Sequence, residues 1–449
     1  MKKSIFCLSI FICYLLFGFT TALAQNPLIL DQFTADPSAR VFEGKVYVYP
    51  SHDILAEAGK GRVGWFCMPD YHVFSSENLT EWMDHGVIVS QNNVNWVDST
   101  TYSMWAPDCI EKDDKYYFYF PAIKKAKLFG RGMAVGVAVS DTPYGPFIPE
   151  SKPIEGVSGI DPNPFIDKDG QVYLYWAAHR HLFAAKLKDN MKELATEPQE
   201  IQGLPEGFKE GPYVFERNGN YYFTFPYVAN ETEQLDYAMG NNPLGPFEHK
   251  GLIMDESPTG CWTNHHSIIE YKDQWLLFYH HNDLSPHFDK NRSVRADSLF
   301  FNEDGTIQQV YPTFRGVGIT QATQKIQIDR YTAISNEGTS VVFLDTLNRH
   351  GGWKTVLKTE GSWIQYNSVD FNDAKLKSVN VKVSSITGSV IHVKIDQLDG
   401  PVIAKVKIPK SQEWSFQKSK LKNIPAGIHN LFVVLEKPKS VEIDWVRFK

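Results

Sequence analysis

The chain is expected to be all-β, a five-bladed β-propeller followed by a β-sandwich. Three observations predict this. Five aromatic hairpins recur through the first two thirds of the sequence at the spacing of propeller blades. No long helical periodicity interrupts them, and near Thr320 to Arg330 the Tyr-rich hairpins give way to Lys with alternating Val and Ile. With 449 residues, 43% hydrophobic and 22% charged, the chain is too apolar for a disordered protein. Its net charge of -7 leaves no cationic footprint for nucleic acid. The aromatic share of 14% is the feature that needs a cause.

The N-terminus reads as an export signal over residues 1–24. Lys2 and Lys3 precede the apolar run Ile5 to Phe19, and Ala22-Leu23-Ala24 forms an A-x-A cleavage site. The mature protein is expected to start at Gln25 and to be periplasmic or extracellular, and no later stretch is apolar and long enough for a membrane span. Three cysteines remain after cleavage, Cys67, Cys109 and Cys261. They form neither a disulfide framework nor a zinc pattern, and are expected as buried small hydrophobes or at most one bridge.

The propeller is expected over residues 25–322. Its repeating segments run from Val41 to Tyr49, Cys109 to Phe120, Phe165 to Trp176, Val214 to Phe225 and Ile268 to Tyr279. In each, a few apolar residues lead into a turn rich in Gly, Asp and Asn and then an alternating aromatic strand, which is hairpin chemistry. The aligned anchors are Tyr47, Tyr117, Tyr173, Tyr222 and Leu276. A second echo, Asp141 to Phe147 and Asn241 to Phe247, follows two of the hairpins with the shared pattern Pro-x-Gly-Pro-Phe.

A polar residue precedes each anchor in phase: Asp36, Asp108, Asp161, Glu210 and His265. Most of them touch Pro or Gly. Innermost strands of a propeller all begin at the same end of the channel, so these five positions should converge there. Carboxylates gathered in an enclosed site cannot all ionise, and their pKa values are driven apart. Glycoside hydrolysis needs that separation, one acid protonated and one base ionised. Phe42, Trp65, Trp105 and Trp262 are candidate walls against which the apolar faces of a sugar would pack.

Ala35-Asp36-Pro37-Ser38, Trp105-Ala106-Pro107-Asp108, Asp161-Pro162 and Glu210-Gly211-Pro212 resemble the motifs of glycoside hydrolase family 43, in order and approximate spacing. The resemblance implies an inverting hydrolase of arabinose- or xylose-containing plant polysaccharides. It further implies Asp36 as general base, Glu210 as general acid, and Asp161 as the carboxylate that orients the acid and raises its pKa. Asp108 lies in a family motif without belonging to the catalytic three and is expected to be structural. His265, with His266 as alternate, matches an axial position that often helps hold calcium or a water cluster. Calcium is therefore the one cofactor to consider, with no organic cofactor expected. Arg292 matches a substrate-contacting arginine. His280, His281 and His287 lack metal-ligand spacing and are expected in loops or core.

The second domain, expected over residues 323–449, carries short strands with turn signals. Gly361 to Tyr366, Leu398 to Ile403, Gly427 to Leu431 and Ile443 to Phe448 resemble a family 6 carbohydrate-binding module. Glu442 stands where that family has a ligand asparagine, and Gln417 where a second aromatic is usual, so the common cleft is expected to be altered or lost, which leaves a structural role packing against the propeller as the alternative to sugar binding. Gln327 and Asp329 replace the usual acidic pair of a structural calcium site. The expected activity is that of an exo-acting α-L-arabinofuranosidase or β-xylosidase. An endo-arabinanase, an exo-galactanase and a sugar-binding propeller without catalysis are the alternatives. Ile160 before Asp161 departs from the Arg-Asp-Pro of fructan-hydrolysing propellers.

Overall fold

The computed structural model describes residues 26–449 apart from 273, 315, 328–330, 348–352 and 374. The expected export signal and Asp329 lie outside the described residues. Each aromatic hairpin is the first half of an antiparallel meander. Blade I contains Phe33–Phe42, Lys45–Asp53, Asp70–Ser76 and Met83–Ser90. Blade II contains Asp108–Lys112, Lys115–Ile123, Met133–Ser140 and Ile148–Pro149; blade III contains Ile160–Ile166, Val172–Ala178, His181–Lys186 and Gln199–Glu200. Blade IV contains Tyr213–Arg217, Asn220–Val228, Glu233–Gly240 and Glu248–Met254, and blade V His266–Tyr271, Gln274–His281 and Ser293–Leu299.

The first strands neighbour one another in sequence order, and that of blade V returns to that of blade I, which makes the five-fold ring. The N-terminal segment closes it. Leu28 N–H donates to the Val294 carbonyl (2.8 Å) and Thr34 N–H to the Arg292 carbonyl (2.9 Å), so this segment lies along the edge of blade V. The Asn26 amide adds bonds to the carbonyls of Ala296 and Thr313.

Most of the aromatic residues are accounted for between the blades. Tyr49, Tyr71, Trp96, Phe118 and Phe120 join blades I and II; Phe165, Tyr175, Phe223 and Phe225 join blades III and IV. Full burial of such a side chain stabilises by roughly 1.5–3 kcal/mol each. The sequence echo has a structural role here. Tyr49 of blade I donates to the Pro143 carbonyl of blade II (2.5 Å), and Tyr175 of blade III repeats the contact on the Pro243 carbonyl of blade IV (2.5 Å). Cys67, Cys109 and Cys261 are all buried and free.

The C-terminal unit is a sandwich of two six-stranded sheets over one core that includes Ile364, Tyr366, Val381, Leu431, Ile443 and Phe448. One sheet takes Thr320–Gln321 as a parallel edge to Trp363–Asp370, so the sandwich gains a strand two residues before the expected boundary. Ser368 Oγ meets Gln274 of blade V at 3.3 Å across the junction of the two units.

Candidate active site

Asp36 and Asp161 open the first strands of blades I and III in the same unusual way. Each has a positive φ, 47° and 57°, each precedes a proline, and each lies where the pairing with the neighbouring strand shifts register. A bulge re-aims a side chain, and the proline that follows has no N–H to lose from the ladder. Asp-Pro thus lifts a carboxyl out of the sheet and into the channel mouth. Glu210 precedes Gly211, whose φ is +60°. A Cβ there would meet Pro226 at 2.8 Å, so only glycine lets the chain turn beneath Glu210.

A pocket of about 150 Å³ collects these groups; its walls include Asp36, Asp161, Glu210, His265 and Arg292, with Trp65, Trp105 and Trp262. Asp36 is buried and firmly held. Its Oδ1 accepts from Arg292 Nη1 (2.7 Å), its Oδ2 from Ser51 Oγ (2.8 Å), and its own N–H donates to His280 Nδ1 (3.0 Å). Arg292 is fixed in turn by Asp53 through Nε and Nη2, both at 2.9 Å. Burial pushes the Asp36 pKa up, but Arg292, His280, His265 and Ser51 outweigh it and hold the group below the usual carboxylate value. Asp36 is therefore ionised at neutral pH.

The other acids shift the opposite way. Burial, and then the charge of Glu233, push Glu210 up to about 8 against the opposing pull of Lys209. Burial, followed by Glu210 and Asp36, raises Asp161 well above the carboxylate range, and its Oδ2 accepts the Gly211 N–H at 2.9 Å. The ionised Asp36 thus faces the protonated Glu210 and Asp161 across a single pocket. The family model for glycosyl hydrolases family 43 matches residues 24–307.

The chain belongs to glycosyl hydrolase family 43.

It is accordingly a glycoside hydrolase of an inverting family. A second family model, carbohydrate binding module family 6, matches residues 332–449. Xylosidase/arabinosidase 43A of Humicola insolens is 38% identical over 330 residues, covering 63% of this chain and 98% of that protein. A β-xylosidase of Xylanibacter ruminicola is 34% identical, over 62% of this chain and 97% of its own. Among solved structures, a family 43 β-xylosidase/α-arabinofuranosidase from a compost metagenome, in complex with xylotriose and described as a calcium-free form, aligns with a TM-score of 0.58 at 37% identity. It covers 64% of this chain and 98% of that one. An arabinoxylan arabinofuranohydrolase from Bacillus subtilis shares the fold of nearly the whole chain, covering 96% of it at 22% identity with a TM-score of 0.56.

Eight of the nine residues expected in the family 43 site line the pocket; Phe42 does not. It lies six residues beyond Asp36 on one strand, roughly 20 Å away at a strand's rise. There it packs edge-on against Tyr116 in the core between blades I and II, so it is packing rather than wall. Phe66 takes the place expected of it, near Trp65 (5.4 Å) and Trp262 (6.3 Å), with Arg292 over its face. Arg292 reaches the pocket, but its guanidinium is already engaged by Asp36 and Asp53. Asp108 sits outside the pocket, paired with Arg40 and accepting from Asn163 Nδ2 at 2.7 Å.

Four supporting residues have no counterpart in the sequence motifs. Glu233 is a fourth carboxylate of the pocket, ion-paired with Lys209 (3.0 Å) and accepting the Asn264 N–H (2.9 Å). Its charge adds to burial in favouring the protonated form of Glu210. Ser51, Asp53 and His280 stand behind the base. Three of the four come from second strands of blades and Glu233 from a third.

Proposed function

We propose that this protein is an exported exo-acting glycosidase that removes arabinofuranosyl or xylosyl residues from plant cell-wall polysaccharides or their oligosaccharides. The observation that carries the chemistry is the opposed protonation of Asp36 and Glu210 within one pocket. Asp36 takes a proton from water as the water oxygen attacks the anomeric carbon. The bond from that carbon to the glycosidic oxygen breaks, and Glu210 delivers its proton to the departing oxygen. Asp161, tied to the Gly211 N–H, keeps the backbone beneath Glu210 in place. Trp65, Phe66 and Trp262 form one aromatic wall, and Lys290 lies within 5.8 Å of all three rings. Substrate preference is inferred from the names of the relatives. The export signal at residues 1–24 supports secretion; N-terminal sequencing of the secreted protein should begin at Gln25.

His265 offers a nitrogen to the channel, and no trio of metal-binding donors among the described residues includes it. A calcium ion at the axis would be held by His265 and otherwise by water. Its charge would favour the ionised form of nearby carboxylates, and the proton transfers above are made by Asp36 and Glu210.

The test is Glu210→Gln on paired substrates. Hydrolysis of xylobiose or arabinosylated oligosaccharides should fall by about 10²–10⁴-fold, while nitrophenyl glycosides, whose leaving groups need no proton, lose far less. Equal loss on both would remove Glu210 from the acid role. A nitrophenyl panel of arabinofuranoside, xyloside and galactoside assigns the sugar.

A further inference from the structure

Blade I carries a second cluster of donors on the face turned away from the base. Ser51 and Tyr71 are register partners on adjacent strands, and the neighbouring positions His52, Asp70 and His72 project from the opposite face. A ring nitrogen of each histidine and a carboxylate oxygen of Asp70 all lie within 4.8 Å of one another. No other trio of His, Cys, Asp and Glu donors among the described residues has that spacing, the catalytic acids included. The two imidazoles meet edge to face at 5.0 Å, and His52 Nδ1 is 2.7 Å from Asp70 Oδ1.

An outer shell is already in place. Asp84, on the next strand, accepts from His72 Nδ1 through Oδ1 (3.0 Å) and Oδ2 (3.1 Å), and Gln32 Nε2 donates to Asp84 Oδ2 (3.0 Å). With Nδ1 carrying the proton, the lone pair of His72 is on Nε2, the arrangement in which a carboxylate orients a metal-binding histidine. The other surface pairs, His181 with Glu200, His249 with Asp236, His392 with Glu436 and His429 with Asp396, lack a second imidazole.

We propose that His52, Asp70 and His72 form a site for a divalent transition metal of the zinc class, separate from the sugar pocket. Two imidazoles and one carboxylate suit Zn²⁺ or its neighbours rather than calcium, which prefers an all-oxygen shell. Donors around a tetrahedral zinc stand about 3.3 Å apart, so the trio closes by side-chain rotation, and the partly exposed site leaves the fourth position to water. The ion would clamp the second and third strands of blade I. On its other face the second strand presents Ser51 and Asp53, which hold Asp36 and Arg292.

The experiment is calorimetric titration of ZnCl₂ into the full mature chain after EDTA stripping, with CaCl₂ as a parallel titrant. One zinc per chain is expected, with a rise in melting temperature. His72→Gln should abolish both effects, His52→Gln should weaken binding at least tenfold, and Asp84→Asn should weaken it about 10–100-fold while sparing the ligands. Circular dichroism confirms that the variants fold, and Asp84→Asn decides the matter if a histidine variant does not. No saturable binding, binding unchanged in these variants, or zinc lost only in His265→Gln would each overturn the proposal.

Discussion

Replacing Glu233 by Gln tests the electrostatics of the pocket without touching a group that transfers a proton. Two effects act on Glu210, and they have the same sign. The negative charge that most favours its protonated form disappears, and Lys209, no longer neutralised at 3.0 Å, is left to favour the ionised form. The pKa of Glu210 therefore falls from about 8. A change of one unit corresponds to about 1.4 kcal/mol, the scale of a single close charge in a partly screened site. At pH 8 the protonated fraction would then drop from about one half to about one tenth, a loss of roughly fivefold in kcat/KM, with little change at pH 6. The assay is kcat/KM on xylobiose or an arabinosylated oligosaccharide from pH 5 to 10, since nitrophenyl leaving groups mask the acid. The alkaline limb should move to lower pH. A limb that stays in place, or moves up, refutes the assignment of Glu233 as a charge that helps keep Glu210 protonated.

Arg292→Lys cannot grip Asp53 through two nitrogens while reaching Asp36, so the Asp36 pKa rises and the acid limb of the pH profile should move to higher pH; an unmoved limb counts against the buried pair. Gly211→Ala forces a Cβ to within 2.8 Å of Pro226 at φ +60°, at a cost of about 1–3 kcal/mol, and should lower kcat at least tenfold while circular dichroism stays native. Asp108→Ala leaves the part-buried guanidinium of Arg40 without its main partner, so the melting temperature should fall by about 5 °C, as expected for a loss of about 3 kcal/mol from a propeller of this size, with activity per folded molecule largely kept. An unchanged melting temperature with lost activity would move Asp108 into the catalytic set.

The propeller was legible because each blade spends its local signal in one place: a turn and an aromatic strand at a fixed phase. The acids were legible for a related reason. Asp-Pro and Glu-Gly-Pro encode a backbone distortion as well as a side chain, and the distortion is what aims the carboxyl. Phe42 misled because an aromatic near a motif in sequence lies far along the strand in space. Glu233, Asp53 and His280 stayed hidden because an acid or histidine in a second or third strand looks the same whether it faces the channel or a neighbouring blade. For Asp53 and His280 the ring closure decides which, through contacts with Arg292 and Asp36 more than 200 positions away.

The left-handed backbone at Asp36 and Asp161 bears on how inactive forms of this enzyme should be built. Asp and Asn tolerate positive φ better than most residues, because their short polar side chains bond locally. Alanine at position 36 or 161 would remove the charge and also favour relaxation of the bulge, so a dead variant would report two losses at once. Asn keeps the shape and much of the hydrogen bonding while removing the charge. For trapping an oligosaccharide in the intact pocket, Asp36→Asn is the substitution that the backbone itself recommends.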